Sequence, residues 1–437
     1  MSALAAPASS ADVLVSRVRA AFPALARTHA GHPVAYLDGP GGTQVPQTVA
    51  DAVADYLLRH NANTHWAYPT SAETDAIVAD ARLALADLLG ARPTEIVFGA
   101  NMTTLWFHLA RALGRRMPAG PAEGRALGPG DEIVVTELDH HANIAPWEAL
   151  VRERGVTLRM VRLDLRTFRL DPDDLARAIG PATRVVAVGA ASNALGTITD
   201  IAPIAEMARR VGALVAVDAV HRVPHDHTDV AAMGADLLGC SAYKFYGPHV
   251  GILWGRAPLL AALDVPKVRP APDTAPERLE TGTANFEGIH GAAAAVDFLA
   301  GVGDMVGAPR DGTPHDDGRR ARLARAHDAL HAAGRALTAR AWEGLHAIRG
   351  VTIHGPPPDT PRTPTLSLTV ADHSARDVAV ALAERGLFCS HGDFYATTVA
   401  ERLGVRPRGL LRAGAACYTT MDEIERLIDA VREVARS

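Results

Sequence analysis

From about residue 95 onward, short runs of apolar and β-branched residues alternate with longer Ala-, Leu- and Arg-rich stretches. "EIVFG" (95–99) leads into "MTTLWFHLARALG", and "DEIVVTEL" (131–138) into "IAPWEALVRER". "TRVVAVGAAS" (183–192) precedes a helical stretch near 202–211, and "ALVAVDA" (213–219), "ADLLGCSAY" (235–243) and "VGILWG" (250–255) complete the series. These runs are apolar at consecutive positions, so both faces of each strand must be covered. Such strands, spaced by helices, predict an α/β domain with a mainly parallel sheet sandwiched by helices. Ligands in such sheets bind beyond the carboxyl ends of the strands. "TTLW", "ELDHH", "ASN", "VDAVH" and "SAYK" all fall at or just after a predicted strand end. The pattern therefore predicts both the fold class and where the chemistry sits.

The character of the chain changes near residue 300. "GVGDMVGAPRDGTPHDDGRR" is rich in Gly, Pro and charge and reads as an exposed loop over 301–320. A long helical stretch (about 320–346) follows, then strand candidates "VTIHG" and "TPTLSLTV", a helix "SARDVAVALAERG", the strand "GLLRAG" and an amphipathic "MDEIERLIDAVREV". The expected organisation is an N-terminal lead and helix over 1–30, a large domain over 31–300, the loop, and a smaller α+β domain over 321–437. No internal repeat is visible.

Composition removes several function classes. A net charge of −5 with no basic cluster offers nothing to hold nucleic acid or an anionic membrane surface. No apolar run is read as approaching the roughly 20 residues of a membrane span. The segment "MSALAAPASSADVLVSRVRA" lacks a basic start and a long apolar core, so no signal peptide is expected. Three scattered cysteines, Cys240, Cys389 and Cys417, form neither a disulfide framework nor a CxxC metal pair. The pairs "DHH" and "HDH" (225–227) have no third ligand at a recognisable spacing, so no metal site is expected. A cytoplasmic location is the expectation.

One lysine carries the clearest chemical signal. Of 44 basic residues only Lys244 and Lys267 are lysines, and Lys244 lies in "SAYKFYGPHVG" after a strand. Arginine stays protonated, whereas a lysine amine can lose its proton and attack a carbonyl to form a Schiff base. An aldehyde cofactor such as pyridoxal phosphate would also need a carboxylate for its ring nitrogen, a flat group against its ring and a phosphate cradle. Asp218 ends the apolar run "ALVAVD", where a lone carboxylate is costly unless paired. A pyridinium, a helix N-terminus or Arg222 could each serve as that partner. Thr103 stands at a strand-to-helix turn, able to hold a phosphate or simply to cap the helix. His140 could stack on a ring.

Taken together these positions resemble a family. From about residue 22 to 434 the chain is similar to class V aminotransferase-like, fold-type I pyridoxal phosphate enzymes, and among them to the cysteine desulfurases. "YLDGPGGTQVP" resembles their N-terminal substrate-facing segment, and "FGANMTT" their phosphate turn. "DHHANIAPW", "SNALGT", "VDAVH" and "SAYK" follow in the family's order. The resemblance implies that Lys244 carries the cofactor and shuttles the α-proton. It implies that Asp218 pairs with the pyridinium and His140 stacks on the ring. Thr103, Ser241 and, from the partner subunit of a homodimer, Thr283 in "ETGTAN" would hold the phosphate, with Tyr243 in place of the family's phosphate-side histidine and Met102 also at the cofactor. His221 would stand near the 3-oxygen, and Asn193 and Arg412 would bind the substrate carboxylate.

One motif departs from the desulfurase pattern. Those enzymes carry a nucleophilic cysteine on a late loop, and here the matching stretch is "GLFCSHGDFYATTVAERLG", with Tyr395 at the cysteine position. A phenol cannot accept sulfur to form a persulfide. Cys389 and Cys417 read as buried small residues. This version of the loop resembles a cysteine-lacking subfamily that includes C–S lyases, among them enzymes trimming S-conjugated cysteines in antibiotic pathways such as the lincosamides. The expected activity is therefore β-elimination from an S-substituted L-cysteine, with Tyr395 or His391 assisting the leaving sulfur. Decarboxylation with oxidative deamination to an S-linked aldehyde is the principal alternative. A desulfurase, a transaminase or epimerase, and a binding protein built on the same fold are others.

Overall fold

The computed structural model describes residues 10–307 and 318–436. Seven strands form the central sheet: β1 (Ile96–Gly99), β2 (Glu132–Thr136), β3 (Thr157–Val161), β4 (Thr183–Gly189), β5 (Leu214–Asp218), β6 (Leu237–Ser241) and β7 (Gly251–Gly255). Their order is β1-β7-β6-β5-β4-β2-β3. β7 runs antiparallel to both β6 and β1, and the other pairs are parallel. Successive residues of each strand enter opposite layers. Ile96, Phe98, Val186, Val188, Val215, Val217 and Leu238 pack into one core, and Val97, Val185, Ala187, Leu214, Ala216 and Leu237 into the other. Two covered faces account for the unbroken apolar runs.

Helices close both layers. Met102–Arg115 packs on β6 and β7, and Asn101 caps it by accepting the Thr104 N–H at 2.9 Å. On the other face lies Phe286–Gly307, packed among the helices Gln47–Asp55, Pro69–Leu89 and Arg319–His346. This helix corrects two expectations. It continues through residue 307, so the start of the segment read as a loop is helical, and Arg319 and Arg320 already belong to the next helix. Residues 308–317 lie outside the described residues. By length and composition Phe286–Val306 is also apolar enough to cross a membrane, and within the fold 56% of it is buried. Its small residues allow close packing: a Cβ on Gly303 would lie 2.0 Å from the Arg322 carbonyl oxygen of the neighbouring helix.

The C-terminal region contains β8 (Val351–His354), β9 (Thr365–Val370), β10 (Ser390–Gly392) and β11 (Leu410–Gly414), in the order β8-β9-β11-β10 and antiparallel throughout. Arg319–His346 and Met421–Val434 cover it, the latter opened by a capping box of Thr420 and Glu423. A short part of the N-terminal segment joins this region, while Leu14, Val18, Phe22 and Val49 pack in the large core. Ala35–Tyr36 pairs in parallel with Leu387–Phe388, Ala35 and Leu37 enter the small core, and Asp38 bridges to Gly414. A pairing across some 350 residues leaves no local pattern to read.

Candidate active site

The carboxyl ends of the strands open into a cavity of about 800 Å³. Asn101, Met102 and Thr103 reach it after β1, and Asp139 and His140 after β2. Gly189 and Asn193 follow from β4, Asp218 and His221 from β5, and Ser241, Tyr243 and Lys244 from β6. Pro40 and Gly41 close one side, and His391, Phe394, Tyr395 and Arg412 of the C-terminal region close another. The turn after β1 approaches the sheet edge so closely that a Cβ on Gly251 would lie 2.4 Å from the Asn101 carbonyl carbon. That position requires glycine.

Lys244 ends the short helical turn Ala242–Lys244 and is 8% exposed. Its Nζ donates to the carbonyls of Pro40 and Gly41 and lies 4.8 Å from the centre of the Tyr243 ring. Burial, followed by the positive charge of Arg412, lowers its pKa to about 7, while Asp38 and Asp218 oppose the shift. Asp218, the last residue of β5, accepts the Val220 N–H at 3.0 Å. Burial raises its pKa to about 6. Arg222 is not its partner, because it pairs with Asp226 at 2.7 Å. Asp218 thus remains a buried carboxylate short of positive charge.

His140 accepts the Ala142 N–H on Nδ1 at 3.0 Å, which fixes the ring with that nitrogen unprotonated. Burial and then Lys244 hold its pKa down to about 4, so it is a neutral plate. Across the mouth its ring faces that of Tyr395, with centres 5.5 Å apart and planes 34° apart. At the opposite end, Ser241 Oγ accepts the Met102 N–H at 3.2 Å, and Thr103 stands exposed in the first turn of its helix. Tyr243 lines the cavity and stacks on His249. His221 is fully buried, with Nε2 in contact with the hydroxyls of Thr363 and Thr365 at 3.0 and 2.9 Å. Burial pushes its pKa well down.

Thr283 does not line this chain's cavity; it is exposed on the loop before Phe286. Asn193 does line it, but its Nδ2 donates to the Phe394 carbonyl at 2.9 Å and its buried Oδ1 has no hydrogen-bond partner among the described residues. An acceptor repels a carboxylate, so the amide as placed does not suit the carboxylate-binding task expected of it. Arg412 sits at the site with its guanidinium 4.1 Å from the Phe394 ring centre. Tyr395 is 73% exposed at the mouth, beside His391.

None of the three cysteines lines the cavity. Cys240 and Cys417 are buried, and Cys389, half-buried, packs against the small core. Burial raises the pKa of all three thiols, that of Cys417 to about 12. Sequence reasoning missed Asp139, whose carboxylate accepts the N–H groups of Gly189 (2.7 Å) and Thr136 (3.2 Å) and whose pKa burial raises to about 7. It also missed Asp38 and Phe394. Their neighbours in "YLDGPGG" and "HGDFYA" were visible, but their partners lie too far along the chain.

The residues present fit pyridoxal phosphate. Two under-paired buried acceptors, Asp218 and Asn193 Oδ1, suit its ring N–H and phenolic O–H. A lysine with depressed pKa suits its aldehyde, and a helix N-terminus with two hydroxyls suits its phosphate. Comparison with known proteins gives the same answer. The family model for aminotransferase class-V matches residues 35–306 and 324–427. A cysteine desulfurase of Dickeya dadantii is 31% identical over 97% of each chain, and one of Serratia proteamaculans 30% over 97% of this chain and 98% of its own. Among solved structures, an apo cysteine desulfurase from Thermococcus onnurineus superposes with a TM-score of 0.81 at 25% identity over 100% of both chains. The S-sulfonic acid form of the Escherichia coli cysteine desulfurase CsdA gives 0.79 at 27%, covering 97% of this chain and 98% of that one. The chain therefore belongs to the class-V aminotransferase family of fold-type I enzymes, whose members use pyridoxal 5′-phosphate.

Proposed function

We propose that the protein is a carbon–sulfur lyase that cleaves an S-substituted L-cysteine by β-elimination, consuming water and yielding a thiol, pyruvate and ammonia. The observation that carries this reading is the cavity mouth: Tyr395 and His391 stand there, and no cysteine lines the site. Bound pyridoxal phosphate supplies an electron sink for negative charge at the substrate α-carbon. Asp218, buried and poor in partners, holds the ring nitrogen protonated. His140 would lie against the ring, and Thr103, Met102, Ser241 and Tyr243 would hold the phosphate, with Thr283 of a second subunit completing the cradle in a homodimer. Lys244, its pKa near 7, removes the α-proton at physiological pH. Arg412 orients the substrate carboxylate, and Tyr395 or His391 protonates the departing sulfur.

The test is product analysis of the cofactor-loaded protein given S-methyl-L-cysteine, in air and without oxygen. Methanethiol, pyruvate and ammonia in equal amounts under both conditions are expected. Alanine with enzyme-bound persulfide sulfur from L-cysteine, offered in a parallel reaction, and no thiol from S-methyl-L-cysteine would overturn the reading in favour of a desulfurase. Carbon dioxide with an S-linked aldehyde, formed only in air, would overturn it in favour of oxidative decarboxylation.

A further inference from the structure

The guanidinium of Arg412 is already engaged. Its side chain is 4% exposed. Nε donates to Ser390 Oγ (3.1 Å), Nη1 to the Asn193 carbonyl (3.0 Å) and Nη2 to the carboxylate of Asp38 (3.0 Å). A guanidinium offers a carboxylate two edges for a two-point contact, Nε with Nη2 and Nη1 with Nη2. Every nitrogen already has a partner, Ser390 on Nε, the Asn193 carbonyl on Nη1 and Asp38 on Nη2, so an incoming carboxylate must displace one of them from either edge. Of these three partners only Asp38 is charged, and its side chain is 43% exposed, so the carboxylate has water to turn toward while its backbone stays in place.

The local backbone is shaped for this contact. The Asp38 carbonyl accepts the N–H groups of Gly41 (2.9 Å) and Gly42 (3.0 Å), folding 38–42 into a tight turn. A Cβ on Gly41 would lie 2.2 Å from an Asp38 carboxylate oxygen, so a side chain there would push the carboxylate from this position.

We propose that Asp38 is an internal occupant of the carboxylate seat on Arg412, displaced one for one by the carboxylate of an incoming amino acid. This rests on the reading of Arg412 as the carboxylate-binding residue. The exchange conserves charge. Buried Arg412 trades one carboxylate for another and is never left unpaired, the state that costs most in a buried ion pair. An amine without a carboxylate cannot make the exchange, so Asp38 sets specificity as well as affinity.

The test is a titration of the cofactor-loaded protein with L-alanine and with ethylamine, followed by the absorbance of the bound cofactor. L-Alanine has no β-leaving group, so the titration reads binding. Asp38→Asn should bind L-alanine roughly fivefold more tightly, the scale of a partly exposed ion pair, with ethylamine unchanged and Asp38→Glu close to wild type. Unchanged or weaker L-alanine binding in Asp38→Asn overturns the proposal and makes Asp38 a positioning residue. If Arg412→Ala fails to narrow the preference for L-alanine over ethylamine, the reading of Arg412 falls instead. Should Asp38→Asn not fold, Asp38→Ser is measured by the same titration and by the rise in Tm on adding L-alanine. A larger rise than in wild type is expected, and an equal or smaller one contradicts the exchange.

Discussion

The two sides of the cavity are built differently. One consists of turns that leave the strands β1, β2, β4, β5 and β6, where Asp218, His140, Ser241 and Lys244 are fixed by sheet pairing and burial. The other is the loop 391–396 with Arg412. Here Phe394 and Tyr395 are consecutive non-glycine residues in the left-handed region, at φ 56° and 57°. The loop meets the large domain through the Tyr395 carbonyl, which accepts the His141 N–H (2.7 Å), the Phe394 carbonyl, which accepts from Asn193 Nδ2 (2.9 Å), the Tyr395 ring facing His140, and the packing of Phe394 and Ala396 in a small cluster with Leu138 and Leu195. Two adjacent residues in that region store local strain of the kind that persists where a side chain must be aimed. The rigid side keeps what every use of the cofactor needs. The loop side carries Tyr395 and His391, on which the proposed lyase reading rests.

If that division holds, damage on the rigid side abolishes all chemistry. Lys244→Ala should lower turnover by at least about 10³-fold, the scale of a lost general base, and lose the cofactor's absorbance band. Normal turnover in that variant breaks the comparison outright. On the loop side, Arg412→Ala should raise KM by roughly 10- to 100-fold, as expected for lost charge-assisted hydrogen bonds, and leave cofactor content intact. A change in kcat alone would place Arg412 with the rigid side. A finer test is the pH dependence of cofactor uptake by the apoprotein. The amine attacks only when deprotonated, and its pKa is lowered from 10.5 to about 7, so the uptake rate should rise with pH about a midpoint near 7. A midpoint above 9 would mean the lysine is not held as described. The smallest effect is expected from Cys389→Ser and Cys417→Ser, with activity within about twofold of wild type, as for changes away from the chemistry. Loss of activity in either variant would restore a role for a thiol.

Legibility from sequence followed the same division. Strands buried on both faces are apolar at every position, so their ends, and hence Asp218 and Lys244, could be located from pattern alone. Tyr395 and Arg412 were found through motif order. Their surroundings were not, because Asp38 meets Arg412 across 374 residues and Asn193 meets Phe394 across 201. Asp139 escaped notice for another reason. Its neighbour His140 carried the motif, and nothing local shows that a carboxylate in "ELDHH" will be buried against Gly189.

The central claim is that Lys244, on the rigid side, carries the cofactor. Borohydride reduction of the loaded protein followed by peptide mass mapping tests it directly, since the chain has one other lysine. Lys267 pairs with Asp273 at 3.0 Å and does not line the cavity. A pyridoxyl adduct is expected on the peptide containing Lys244 and none on that containing Lys267. An adduct on Lys267, or no adduct in a protein that retains the cofactor, would contradict it.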